Sequence, residues 1–227
     1  MITVDPKCSE LYPGLCIGFL ALNGTSSAGE NGDRALDLRR AELEAELRRR
    51  LSGIDKATLA TLPPFPAYSA YYKRFKKTYH VLLQLESVAL KGRSLASPGA
   101  LVQAMFMAEL ENRLLTAGHD LDSIAGPIVV RAATGREEFI TLDGHERRLK
   151  PLDLHMADDH GVISSIIYGP DSRTRIHPGT GRVLYTVYGV PGIEPAEVDL
   201  HLQRLEEYAT LAAPNAAVEE RRVLTTS

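Results

Sequence analysis

Apolar positions in the first half of the chain recur mostly with helical spacing, after one early exception. Leu15 to Leu22 is a short, nearly continuous apolar run closed by the turn dipeptide Asn23-Gly24, which predicts a buried strand. The Ser-, Gly- and Asn-rich stretch Thr25 to Asp33 reads as a surface loop. Leu36, Leu43, Leu47 and Leu51 then share one stripe and predict a helix over 35–51. Glu44 precedes Arg48, and Glu46 precedes Arg50, by four residues, the favourable order on a helix surface. Arg48, Arg49 and Arg50 complement the dipole of its last turn, and Gly53 stops it. A solvated helix end is the simplest role for that run, with RNA contact the alternative.

A short helix follows Asp55 and must end before Pro63-Pro64, and Pro66 suits the first turn of the next. There Tyr68, Tyr71, Tyr72, Phe75 and Tyr79 fall on one helical face. That face holds four of the nine tyrosines and one of the five phenylalanines, so the clustering is not background. Lys73, Arg74, Lys76 and Lys77 interleave on the other side. An aromatic core face with a solvated basic face explains the pattern, and so does a ridge that contacts RNA phosphates. The two are compatible. Helix continues over 81–90, and Ser97-Pro98 caps a longer one marked by Leu101, Val102, Met105, Phe106, Leu110, Leu114 and Leu115 and ended by Gly118.

After Gly126-Pro127 the period shortens. Runs at 128–133, 138–142, 153–157, 162–168 and 182–188 are separated by turn signals, including the hairpin dipeptide Asp143-Gly144. They predict a largely antiparallel sheet curled toward a barrel. Pro195 opens a last helix with Val198, Leu202 and Leu205 on one face. The expected organisation is one α+β domain over 1–213 and a flexible tail over 214–227.

Composition adds exclusions. Lys and Arg number 26 against 29 Asp and Glu, a formal net charge of −3 over 227 residues, so the whole chain is not a basic nucleic-acid binder. The content is 44% hydrophobic and 24% charged, ordinary for a globular protein with a real core. Acidic residues precede the first apolar run, which makes it a poor signal peptide, and it is too short to span a bilayer. Cys8 and Cys16 lack zinc-site spacing and read as reduced thiols of a cytoplasmic protein.

Motif searches return little: no phosphate loop, dinucleotide fingerprint or nucleophile elbow is present. His155 to His160, with Asp158 and Asp159, is the densest polar segment, but a strand and a turn do not by themselves bring its groups together. No metal or cofactor is expected. His119, beside Asp120, suits either a general base oriented by a carboxylate or a histidine at a helix C-terminus.

One ordered run is more specific. The segment "HDLDSIAGPIVVRAATGREEFITLDGHERRLKPLDLHMADD", followed by "GVISSIIYGPDSRTRI", resembles the B3/B4 editing module of the phenylalanyl-tRNA synthetase β subunit. Asp120, Leu121, Asp122, Ile124, Arg131, Ala133, Gly135, Thr141, Leu142, Asp143, Gly144, Ala157 and Asp158 match its pattern in order. The resemblance implies a freestanding α+β module with an antiparallel-rich sheet and packed helices. It also implies hydrolysis of tyrosine wrongly attached to phenylalanine tRNA, by positioning water and a labile ester.

This chain departs from the family at the pocket. Aligned without gaps on Asp120, the family's histidine falls at Ala117, its Thr-Asn pair at Met105-Phe106, and its acidic residue at Pro170, beside Asp171. His119 and Asp171 are therefore the expected catalytic replacements. Met105, Phe106, Ser164, Ser165, Tyr168 and Gly169 are the expected substrate lining, and Lys73, Arg74, Lys76 and Lys77 the RNA contacts. The expected function is trans-editing of a mischarged aminoacyl-tRNA, with a synthetase or amino-acid ligase as a further partner and neither DNA nor membrane involved. The alternative is a non-catalytic amino-acid-binding accessory that needs no tRNA.

Overall fold

The structure, a computed structural model, describes residues 2–27, 30–96 and 98–226. The chain opens with β1 (Ile2–Val4), α1 (Pro6–Leu11) and β2 (Cys16–Asn23). Helices follow: α2 (Glu30–Arg50), α3 (Lys56–Leu59), α4 (Phe65–Arg74), α5 (His80–Leu85), which continues into a π-type turn at Glu86–Leu90, and α6 (Ala100–Asn112). The strand-rich part comprises β3 (Thr116–Asp120), β4 (Ile128–Ala132), β5 (Glu138–Ile140), β6 (Glu146–Arg148), β7 (Leu154–Asp158), β8 (Gly161–Ser165), β9 (Gly169–Pro170) and β10 (Arg182–Gly189). Then α7 (Pro195–Ala212) and β11 (Ala217–Thr225) complete the fold. Among the described residues, no helix is long and apolar enough to cross a membrane.

The architecture is α+β and antiparallel-rich. One sheet runs β11-β2-β10-β3, antiparallel throughout. The other runs β1-β4-β7-β8-β9, with only β1 and β4 parallel. The β5-β6 hairpin forms a separate ribbon. The expected single curled sheet is thus divided into two sheets and a two-stranded ribbon. Both β2 and β10 are buried along nearly their whole length, and α7 lies on β2. Gly18 permits that approach, since a Cβ there would stand 2.5 Å from Val198 Cγ1.

The aromatic face of α4 joins the two sheets. Tyr68 Oη donates to the Tyr188 carbonyl of β10 at 2.7 Å, and Tyr71 Oη accepts from the Leu154 amide of β7 at 2.6 Å. Tyr72 Oη donates to the Ile166 carbonyl at 2.7 Å. Each ring thus buries apolar area while its hydroxyl finds a partner. The helix ends earlier than the aromatic spacing predicts, because Lys76 takes a left-handed φ of 58°. Tyr79 still stacks on Tyr68, with ring centroids 4.3 Å apart.

Two further expectations differ from the structure. Within 214–227, expected to be flexible, β11 pairs with β2 from Ala217↔Asn23 to Thr225↔Cys16. The loop expected at 25–33 is replaced by a 3₁₀ turn at Thr25–Ser27 and the start of α2 at Glu30. Ala28, Gly29 and the expected cap Ser97 lie outside the described residues.

Candidate functional site

α6 crosses β3, and the loop after β9 closes the gap between them. A cavity of about 360 Å³ lies there. Met105, Phe106 and Glu109 of α6 form one wall, and Thr116, Ala117 and Gly118 of β3 the opposite one. Gly169, Pro170, Arg175 and Ile176 complete it, with Ser165 and Tyr188 behind. Gly118 lets the walls approach: a Cβ there would lie 2.7 Å from Ile176 Cδ1 and 3.3 Å from Met105 Sδ. Met105, Phe106, Ala117 and Pro170, the four positions at which the resemblance locates a pocket, therefore meet in one place.

Of the expected lining residues, Met105, Phe106, Ser165 and Gly169 are in this cavity, while Ser164 and Tyr168 are not. Ser164 is buried, with its hydroxyl 2.5 Å from Tyr188 Oη. Tyr168 borders an adjoining groove of about 380 Å³ together with Lys77, Leu142 and Arg147. Leu142 lines both spaces, so they are neighbours.

His119 and Asp171 come together, but away from the cavity lining. His119 lies in β3 rather than after a helix, because α6 ends at Asn112 and Arg113 takes a left-handed φ of 66°. Its Nδ1 is 2.7 Å from Thr174 Oγ1, and that hydroxyl donates to Asp171 Oδ1. With the threonine proton committed to Asp171, His119 must donate from Nδ1. Its Nε2 is left as a buried acceptor without a hydrogen-bond partner among the described residues. Burial, then the Arg173 charge, pushes the His119 ring down to about 3, so it is neutral at physiological pH. Burial also raises the Asp171 carboxyl above its ordinary value. Backbone bonds reinforce the arrangement, with the Asp120 amide donating to the Thr174 carbonyl at 2.7 Å. The relay pins the segment that carries Arg175 and Ile176 to the cavity.

Among the described residues, no group of three or more His, Cys, Asp or Glu is placed to hold a metal. His155 is buried in β7 and His160 is exposed in the following turn. Asp158 is engaged by Arg173 Nη2 at 2.9 Å. Lys73, Arg74, Lys76 and Lys77 are all exposed. The Arg74 guanidinium lies over the Tyr12, Tyr71 and Phe75 rings, and Lys77 Nζ is 5.3 Å from the Tyr168 ring centroid.

Sequence reasoning missed Glu109. It lies four residues after Met105 and eight after Leu101, a carboxyl within an apolar stripe, and that was its signal. Its Oε1 accepts the Thr116 amide at 2.8 Å, while Oε2 is buried without a hydrogen-bond partner among the described residues. Burial pushes its carboxyl up to about 8.

The family model described as the B3/4 domain matches residues 100–208, from α6 into α7. This stretch resembles a B3/4 domain. It contains both principal cavity walls and the loop through Ile176. The phenylalanine–tRNA ligase beta subunit of Leifsonia xyli subsp. xyli is 42% identical over 69 residues, 30% of this chain and 8% of that protein. The corresponding subunit of Anaeromyxobacter dehalogenans is 47% identical over 79 residues, 31% of this chain and 10% of that protein. The match to these relatives thus spans a tenth of their length or less. An N-terminal fragment of the phenylalanyl-tRNA synthetase beta subunit from Pyrococcus horikoshii superposes over 98% of this chain and 50% of its own, with 14% identity and a TM-score of 0.47.

Proposed function

We propose that this chain is a trans-acting aminoacyl-tRNA deacylase that admits the side chain of an aromatic or non-protein amino acid into the cavity between α6 and β3. The carrying observation is the convergence of Met105, Phe106, Ala117 and Pro170 on one mainly apolar space. An aminoacyl ester is already labile, so holding it beside a positioned water supplies much of the rate. Arg175, exposed at the rim and without an ion pair among the described residues, suits the phosphate of the acceptor end. The neighbouring groove is lined by Leu142, Tyr168, Arg147 and Lys77, and Lys77 belongs to the exposed basic run with Lys73, Arg74 and Lys76. That route joins ring stacking to backbone charge, the combination that holds single-stranded RNA. His119 and Asp171 act here as positioning residues for the Arg175 segment.

A specific observation favours the second reading, an amino-acid-binding accessory for a synthetase or amino-acid ligase in the cytoplasm. His119 and Asp171 do not line the cavity, and the lining carboxyl Glu109 holds its proton at neutral pH, so among the described residues no ionised carboxylate stands at the wall beside the lining His80. Purified protein offered a panel of mischarged tRNAs separates the two readings. Deacylation above the spontaneous rate for at least one aromatic or non-protein residue is the expected result. No turnover with tight binding of a free amino acid would establish the accessory role instead.

A further inference from the structure

We propose that Glu109 is the recognition group of the cavity, with its Oε2 hydroxyl donating to a neutral oxygen on the leading end of an otherwise apolar ligand. This deepens the cavity reading above and is independent of whether the ligand arrives on tRNA. The geometry begins with the occupied half of the carboxyl. Oε1 accepts the Thr116 amide at 2.8 Å. The Thr116 hydroxyl is turned away, 2.7 Å from His201 Nε2, and His201 Nδ1 lies 3.2 Å from Asn112 Oδ1. Asn112 Oδ1 is an acceptor, so His201 donates from Nδ1 and accepts the threonine proton at Nε2. The Thr116 hydroxyl proton is thereby withheld from Glu109. Oε2 is left without a partner among the described residues, in a side chain that is fully buried.

The chemistry of the ligand follows from what surrounds that atom. Met105, Phe106, Leu115 and Gly118 supply apolar walls. The titratable groups around Glu109 come from several elements. Tyr68 and Tyr72 of α4, and Tyr79 before α5, stay neutral because burial raises each hydroxyl. His201 of α7, behind Thr116, is pushed down to about 3 by burial and is neutral too. The lining cation Arg175 and the lining histidine His80 are both exposed at the rim. Among the described residues no cation compensates an ionised Glu109, and the acid form is the one that burial favours. A neutral oxygen on the ligand accepts its proton without creating a buried charge. An ammonium group would instead require an ion pair in apolar surroundings, whose desolvation offsets its attraction.

Three probes sharing one aromatic body test this by titration calorimetry: p-cresol, toluene and benzylammonium. The wild type should prefer p-cresol to toluene by about tenfold, the scale of one neutral hydrogen bond, and bind benzylammonium no better than toluene. The p-cresol preference should decline above about pH 8 as the acid loses its proton, while p-cresol itself stays neutral to about pH 10. Glu109→Gln retains a donor and an acceptor for Thr116, so it should keep the preference and lose its pH dependence. Glu109→Leu should abolish the preference. Circular dichroism and thermal unfolding establish whether the leucine variant folds, and the glutamine variant decides the question if it does not. Preferred binding of benzylammonium, a preference that survives in a folded leucine variant, a pH-independent preference in the wild type, or no binding of any probe would each overturn the proposal. Deacylation on mischarged tRNA is read separately. Activity without the oxygen preference removes Glu109 alone, and the preference without activity removes the deacylase reading alone.

Discussion

His119 is fully buried and neutral, and it donates from Nδ1 to a threonine that is itself bound to Asp171. Such a ring orients a segment more naturally than it moves a proton. His119→Asn preserves a donor toward Thr174 and should retain deacylation within a small factor. A general base would lose about 100- to 10,000-fold on the same change. Thr174→Val should be worse, because it strands the His119 Nδ1 donor while Asp171 Oδ1 keeps only the amide of residue 174, at a cost on the order of 1–3 kcal/mol. Urea unfolding alongside deacylation kinetics checks both variants. A hundredfold loss in a stably folded His119→Asn protein would return His119 to the chemistry. Glu109 was missed at this scale, although a carboxyl on an apolar stripe marks it. The His119 relay was not legible, because Thr174 lies 55 residues away in sequence and carries no motif.

At the scale of elements, legibility tracked how strongly each segment's pattern matched its burial. β2 and β10 were readable as short, nearly continuous apolar runs, and α2 and α7 as apolar stripes with helical spacing. β3 was not, because Leu114 and Leu115 prolong the stripe of α6, and only the left-handed Arg113 breaks it. β11 was hidden for the opposite reason. Glu219, Glu220, Arg221 and Arg222 are exposed on an outer strand, where no apolar alternation is required. Removal of residues 217–227 should therefore expose the backbone edge of β2. We expect aggregation, or a Tm lower by more than about 4 °C, the shift caused by roughly 1–2 kcal/mol in a protein of this size. An unchanged Tm would restore the flexible-tail reading. The basic ridge needs a selective variant, since Arg74 also covers the Tyr12 and Tyr71 rings. Lys73, Lys76 and Lys77 changed together to Gln should weaken tRNA binding and flatten its salt dependence by about 0.7–0.9 per lost phosphate contact. An unchanged slope would make the ridge a solvated helix end.

Across the whole molecule, buried ionisable groups set opposing pH dependences. His119 and His201 are pushed down to about 3 by burial. Below about pH 6.5 the unfolded chain binds protons that the folded chain refuses, so stability falls toward acid. Glu109 works in the other direction. Burial raises it from 4.5 to about 8, so between these values the folded chain keeps a proton that the unfolded chain has released. Its contribution is full below about pH 4.5 and is lost as the pH rises to about 8, by at most about 1.4 kcal/mol per pH unit. Asp153, raised by burial to about 6, adds to that loss over the lower part of the window. Glu109→Gln removes the larger of these two losses between pH 4.5 and pH 8 and leaves both histidines in place. Its stability relative to the wild type should rise steadily from pH 4.5 to pH 8 and then level off, while the acid limb of both proteins stays parallel. Urea unfolding at half-unit pH intervals measures this difference. A constant difference across the window would mean that Glu109 is ionised in the folded chain, and the carboxyl at the cavity wall would then be an acceptor rather than a donor.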